Sequence, residues 1–311
     1  MLLTQAIEEF RKYTKVTKAL GTQEYYKYYL KTLNNELGSL DCSEINNNMI
    51  LDYIIKRRNF NPKVSNATIN KHIVTLKTVV KYATSKEITF SKLKERKMII
   101  PTISKSTYSK IFEYYQKHMK DNYTFRNYVF LKLMLDTGLR LHEIINIKLR
   151  NIDLDTSSIH IKVTKTDVDR YVCFTESTKE LLIKFIVTQK IKEYLFYDFK
   201  TGNKLTTSSV ESLVYRLKIK LNIEENITPH KWRHTFATNF LKRGGDLETL
   251  RILLGHSNLK TTQKYLHLSK NDIVDNYKSI MNNIINSWLL RKLLPPSATH
   301  GQTMIFAYFR K

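Results

Sequence analysis

The sequence predicts a mainly α-helical protein of two domains, the second a mixed, mostly helical domain holding a small antiparallel β-sheet. Three observations carry that expectation. Eight glycines and five prolines in 311 residues leave little punctuation for the many tight turns of an all-β chain. Apolar residues recur at helical spacing along most of the length. By contrast, the stretch 158–174, SIHIKVTKTDVDRYVCF, alternates β-branched and aromatic residues around a TKTD interruption.

The first ninety residues read as helices. In TQEYYKYYLKTLNNEL, Tyr25, Tyr28, Tyr29, Leu33 and Leu37 follow a helical stripe, and in NATINKHIVTLKTVVKYATSKEI the stripe is Ile69, Ile73, Leu76, Val79 and Val80, with Asn66 as the expected cap. Lys71, Lys77 and Lys81 fall elsewhere on that helix. Residues 91–106, SKLKERKMIIPTISKS, hold five bases and one acid, and Pro101 interrupts any helix there, so they read as a basic linker.

The second domain begins near Thr107. A helix is expected around 109–117, then a buried one through YVFLKLMLDTG ended by Gly138, and another in LHEIINI. The β-hairpin or pair of antiparallel strands follows. Further helices are expected at 177–190, 206–221, 229–242 and 246–254, the last stopping at Gly255, with another from about Lys260. A final amphipathic stripe, Ile273, Tyr277, Ile280, Met281, Ile284, Ile285 and Trp288, ends before Pro295-Pro296. The resulting boundaries are 1–90, 91–106, 107–285, and 286–311 for the helix end and a tail with no assigned role.

Charge narrows the function. With 42% hydrophobic and 26% charged residues the chain can fold around a core, yet 52 Lys+Arg against 28 Asp+Glu leave a net charge of +24 and a pI near 9.8. A surface of that sign calls for a polyanion, and counterion release makes nucleic acid the natural one. No apolar run is long enough to span a bilayer and the N-terminus lacks a signal-peptide core, so no membrane partner is expected. Two distant cysteines, Cys42 and Cys173, fit a reducing compartment such as the cytoplasm, with simple burial as their expected role.

Several polar residues could carry chemistry. Arg140, in DTGLRLHEI, opens a helix after a glycine turn, where a guanidinium and a helix N-terminus together favour an anion. Glu143, three residues on, could orient it or simply cap the first turn. In TPHKWRHTFAT, His230 and Arg233 are three apart on a helix begun by Pro229, so both can face one phosphate. His234 completes an H-x-x-x-H pair, but companion ligands for zinc are missing, and a packed structural role is preferred. His256 follows the Gly255 stop. Tyr265, nine residues later in a short helix, is one of 19 tyrosines, and a phenol with a pKa of about 10 attacks at neutral pH only with help.

The series TGLRLHE, TPHKWRHTFAT and LLGHSNLKTTQKYLH resembles the tyrosine recombinases, the family of phage integrases and Xer-type site-specific recombinases, over residues 5 to 285 and most strongly over 134 to 268. The resemblance implies an N-terminal helical core DNA-binding domain and a catalytic domain clamped around duplex DNA. It implies that Arg140 and Arg233 bind the scissile phosphate, His230 assists proton transfer from the nucleophile, and His256 hydrogen-bonds the phosphate. Tyr265 is then the nucleophile that leaves a 3′-phosphotyrosyl link. The family's hairpin lysine falls at Lys165, with Lys162 as the fallback, because Thr164 and Thr166 stand where the family usually has glycines. Trp232 stands where the family often has leucine. No metal and no cofactor is expected. The implied partners are a double-stranded DNA recombination site and further copies of the chain, in a tetramer on DNA with the 273–294 helix between subunits. A type IB-like topoisomerase and a non-catalytic DNA-binding regulator of the same fold are the competing readings.

Overall fold

A computed structural model describes residues 1–95, 101–119, 121–162 and 169–266, with Lys278 and Met281 beyond them. The chain divides into two compact units, Met1–Met98 and Ile99–Lys311. The hairpin tip with Lys165, and the 273–294 helix apart from Lys278 and Met281, lie outside the described residues. So does the tail.

Unit one is helical: α1 (Leu3–Thr17), α2 (Leu20–Leu37), α3 (Asn47–Phe60) and α4 (Asn66–Thr84). The α4 stripe is buried as expected, Ile69, Ile73, Leu76, Val79 and Val80 all meeting Leu3, Ile7, Phe10, Leu30 and Leu33 in one core. The cap of α4 is Ser65, whose hydroxyl accepts from the Thr68 amide at 3.1 Å; Asn66 instead donates to the Lys94 carbonyl at 2.8 Å. In α2 the buried stripe runs through Tyr29, Leu30 and Leu33 with Tyr26 packed beside it, whereas Tyr28 is exposed. Four tyrosines crowd residues 25–29, and a tyrosine tolerates either side of the stripe, so its position was not fixed by residue type. Tyr53 and His72 share a buried hydrogen bond of 2.7 Å.

Both ends of the basic segment are tied down. Asn70 exchanges hydrogen bonds with the Leu93 backbone at 2.8 and 2.9 Å, within unit one. In unit two the Ile103 amide donates to Thr235 at 2.9 Å and the Ser104 amide to Glu225 at 3.0 Å. Ser104 then caps α5 (Lys105–Lys117), which starts four residues earlier than the apolar pattern indicated.

Unit two continues with α6 (Asn122–Thr137), α7 (Leu141–Ile144), β1 (Ile152–Asp153), β2 (Ser158–Ile161), β3 (Arg170–Cys173), α8 (Glu176–Gln189), α9 (Thr207–Lys220), α10 (Pro229–Lys242), α11 (Leu247–Leu254) and α12 (Leu259–Gln263). The strands form one antiparallel sheet in the order β1-β2-β3, with Ile159 opposite Val172 and Ile161 opposite Arg170. β1 is two residues long, too short to leave an alternation in the sequence. Alternation along β3 turns Arg170 and Val172 inward and Tyr171 and Cys173 outward. The expected burial therefore holds for Cys42 and fails for Cys173, which is exposed: once Val172 faces the core, its neighbour cannot.

Helix α6 is the spine of this unit, packing on α5, α8 and α10. Trp232 of α10 is fully buried against it, its ring 5.9 Å from Phe112 and its Nε1 donating to the Ile227 carbonyl at 3.0 Å. Trp232→Ala is expected to lower stability by about 3–5 kcal/mol, measured as a fall in the denaturant midpoint, whereas Cys173→Ser on the open face of β3 should shift it by less than about 0.5 kcal/mol.

Candidate active site

Two glycines prepare the site. Gly138 ends α6 and Gly255 ends α11, each with φ of 62°, a conformation glycine adopts without strain. Neither has room for a side chain: a β-carbon on Gly138 would sit 2.2 Å from the Phe236 ring, and one on Gly255 2.7 Å from the Arg170 guanidinium. Backbone carbonyls at these two helix ends carry partial negative charge and lack intrahelical partners. Three arginines supply them. Arg233 donates to Gly138 O at 2.8 Å and to Leu254 O at 2.6 Å, bridging both ends. Arg140 donates to Gly255 O at 2.8 Å, and Arg170 to Leu253 O at 2.9 Å.

One carboxylate organises two of those arginines. Glu143 accepts from Arg140 Nη1 at 3.0 Å and from the Arg140 amide at 2.7 Å, and from Arg170 Nη2 at 2.9 Å. It therefore both caps α7 and orients Arg140, joining two roles the sequence posed as alternatives. Burial pushes this carboxyl up, but the hydrogen bond and charge of Arg170, with those of Arg140, outweigh it and hold the group below the usual carboxylate range. Arg233 is 4% exposed, and burial foremost, with Arg140 beside it, pushes it down to about 10, still protonated at neutral pH.

His256 is seated beneath these groups. Arg233 Nη2 lies 3.1 Å from its Nε2 and Thr262 Oγ1 2.9 Å from its Nδ1. A guanidinium only donates, so Nε2 accepts and the proton sits on Nδ1, directed at Thr262. Burial, followed by the charges of Arg233, Lys264, Arg140 and Arg170, brings His256 down to about 4. Tyr265 lies two residues past α12, in a turn rather than in the helix, and packs among Phe236, Ala237, Leu241, Leu250 and Leu254 with 4% exposure. Its hydroxyl lies 2.8 Å from His234 Nδ1. Burial raises its pKa above the ordinary phenol value, and Arg233 and Arg140 partly offset that.

Arg140, Arg233, His256 and Tyr265 are thus brought into one site from four segments. His230 stands exposed near the start of α10, its ring 6.5 Å from that of His234. Lys165 lies outside the described residues; Lys162 is exposed just past β2. Two residues the sequence reading left out belong to the cluster. Arg170 was legible from alternation, since Val172 inward means Arg170 inward. His234, set aside as a packed residue, is instead the neighbour of the Tyr265 hydroxyl, and nothing local in the sequence announces a partner 31 positions away. Among the described residues no group of three or more His, Cys, Asp or Glu side chains is placed to hold a metal, and no helix is long and apolar enough to cross a membrane.

The model of the phage integrase family matches residues 101–272. The chain belongs to that family. It is 39% identical over 153 residues to the tyrosine recombinase XerA of Saccharolobus solfataricus, a match spanning 49% of this chain and only 50% of that protein. Over 292 residues it is 28% identical to the tyrosine recombinase XerC of Leptospira interrogans, covering 89% of this chain and 93% of that one. The fold is similar to that of the Tn1549 transposon integrase solved with transposon right-end DNA, at a TM-score of 0.71 and 19% identity over 92% of this chain and all of that one.

Gly255→Ala is expected to cost about 2–4 kcal/mol, from left-handed strain and displacement of the Arg170 guanidinium together, measured as a lowered unfolding midpoint. The pH dependence follows from His256. Above about pH 6.5 it is neutral folded and unfolded, and its contribution is complete; between about 6.5 and about 4 the unfolded chain takes a proton the folded one refuses. Thermal stability should therefore fall as pH drops through that window, with the ring of His256 remaining neutral by NMR to near pH 4.

Proposed function

We propose that the protein is a site-specific DNA recombinase that cuts and rejoins duplex DNA through a 3′-phosphotyrosyl intermediate. One observation carries the reading: two arginines, fixed on helix ends, and a neutral histidine converge beside a buried tyrosine. Phosphoryl transfer needs charge stabilisation and in-line positioning more than it needs covalent help, and guanidinium groups held before the reaction begins supply both. Arg140 and Arg233 bind the non-bridging oxygens of the scissile phosphate. His256 hydrogen-bonds the same phosphate by donating from Nε2, once its proton has moved there from Nδ1 and Nδ1 accepts from the Thr262 hydroxyl. Tyr265 attacks phosphorus and releases a 5′-hydroxyl. His230, exposed at the start of α10, assists proton transfer from the nucleophile. The hairpin lysine, Lys165 or in its place Lys162, protonates the leaving oxygen. The covalent link conserves the energy of the broken bond, so the reaction needs no nucleotide and no cofactor.

Within unit two, residues 107–285 are the catalytic domain in this reading, and the helical residues 1–90 are the core DNA-binding domain joined to it by the basic segment 91–106. Four copies assemble on paired DNA sites, with the 273–294 helix between subunits, in the cytoplasm. Integration or excision of a mobile element, or Xer-like resolution, is the biological setting. Support for the DNA partner comes from the +24 charge and from relatives solved on DNA, among them the Tn1549 integrase.

The test is covalent capture. A duplex selected from a randomised pool by binding to the protein, nicked to trap cleavage and incubated without divalent metal, should become linked to the wild type and not to Tyr265→Phe, which still binds it. Arg233→Ala should lower adduct formation by a factor of about 10² or more. Binding without any adduct would point to a regulator, and relaxation of supercoils without exchange between two sites would point to a topoisomerase.

A further inference from the structure

Lys264, the residue before the nucleophile, closes α12 with its ammonium over the Tyr265 ring, 5.1 Å from the centroid, and its side chain is half-buried. Among the described residues that ammonium has no hydrogen-bond or ion-pair partner. Glu143, the carboxylate of the site, is engaged by Arg140 and Arg170 instead. Lys264 is nonetheless inside the electrostatic neighbourhood of the site. It is the foremost charge acting on His234, and for His256 it comes next after Arg233. Like charges repel, and a lysine on a flexible stem can swing its head into water; this one stays beside three other basic groups and the nucleophile. Resting on the recombinase reading, we propose that Lys264 is a further phosphate-binding residue, donating to a non-bridging oxygen of the scissile phosphate as Tyr265 attacks and keeping that contact in the 3′-phosphotyrosyl link.

The element that carries Lys264 sets it apart from the arginines. Arg140 and Arg233 are fixed to the carbonyls at the ends of α6 and α11. Lys264 is one peptide bond from Tyr265, so its ammonium and the phenol are delivered by the same segment. Its contact with the phosphate forms only when that segment is seated, which ties charge pairing to in-line placement of the attacking oxygen. Burial first, and Arg233 second, hold the lysine below its ordinary pKa. An anion beside the ammonium opposes both and favours the charged form. The chemical step keeps its balance without this residue as a proton carrier. The bond between Tyr265 Oη and phosphorus forms, the bond from phosphorus to the 5′-oxygen breaks, the phenolic proton leaves with the help of His230, and the 5′-oxygen takes its proton from the hairpin lysine. Lys264 stays protonated throughout. It acts by charge alone, and most strongly where negative charge gathers on the phosphoryl oxygens in the transition state.

Single-turnover adduct formation on the selected nicked duplex tests this, with the scissile group either a phosphodiester or a methylphosphonate, in which a methyl group replaces the charged non-bridging oxygen. Lys264→Met keeps the length of the stem and removes the charge. It is expected to bind the duplex as the wild type does, to keep the wild-type unfolding midpoint, and to link to the phosphodiester about 10²-fold more slowly. Lys264→Arg should recover most of that rate. On the neutral methylphosphonate the ammonium has no anionic oxygen to meet, so the wild-type advantage over Lys264→Met should shrink to about threefold or less. A phosphodiester rate for Lys264→Met within about threefold of wild type overturns the proposal. So does a deficit of equal size on both substrates, which marks a structural role, or a defect confined to binding, which puts the ammonium on a flanking phosphate. If the wild type links to no methylphosphonate, the two phosphorothioate diastereomers take its place: a Lys264→Met deficit that differs between them supports the contact, and an equal one overturns it. Should Lys264→Met fail to fold, Lys264→Gln is read in the same way. Wild type that binds the phosphodiester duplex yet never links to it overturns the recombinase reading and this contact with it.

Discussion

Arg233 joins the ends of two helices, and the site depends on that junction. Its guanidinium donates to the last carbonyls of α6 and α11, and a third hydrogen bond fixes the imidazole of His256. Helix C-termini are electronegative and leave carbonyls without partners, so a buried arginine finds there what an aqueous shell would otherwise supply. The same contacts that make burial tolerable set the direction of the guanidinium. The guanidinium is thereby immobilised in advance, which is the condition for electrostatic stabilisation of a transition state without reorganisation.

Around this junction three arginines cluster at the helix ends. Arg140 and Arg170 share the carboxylate Glu143, which accepts hydrogen bonds from both. An ion cluster of this kind is worth little as simple stabilisation, because desolvation offsets much of the attraction. Its value here is positional: Glu143 holds Arg140 against Gly255, and Arg170 fills the space beneath Gly255 that a side chain would need. Burial first, and then the neighbouring cations, keep His234 and His256 neutral, and a phosphodiester is the anion such a site would receive. Tyr265, buried and protonated, is chemically quiet until then.

Much of this was legible in sequence because the determinants are local. Gly138 and Gly255 stop helices by their own backbone freedom, Pro229 starts one, and the apolar stripe of α4 shows which face is buried. The spacing of His230 and Arg233 allows both to face one group, yet Arg233 is buried while His230 stands exposed. Errors came where residue type underdetermines orientation. Tyrosines in α2 can lie on either side of a stripe, Asn66 and Ser65 can both cap, and a cysteine in a strand follows the register of its neighbours into or out of the core.

Sequence by itself determined the fold class, the positive charge that calls for a polyanion, and the identities of Arg140, His230, Arg233, His256 and Tyr265 as residues of one family pattern. Tertiary structure alone decided who touches whom: Arg233 on two helix ends, Arg170 turned inward to Glu143, and His234 rather than His230 against the tyrosine hydroxyl. The physical reason is range. Helix stops and stripes are encoded within a few residues, whereas a hydrogen bond between positions 234 and 265, or 140 and 255, exists only once packing has brought separate elements to within 3 Å.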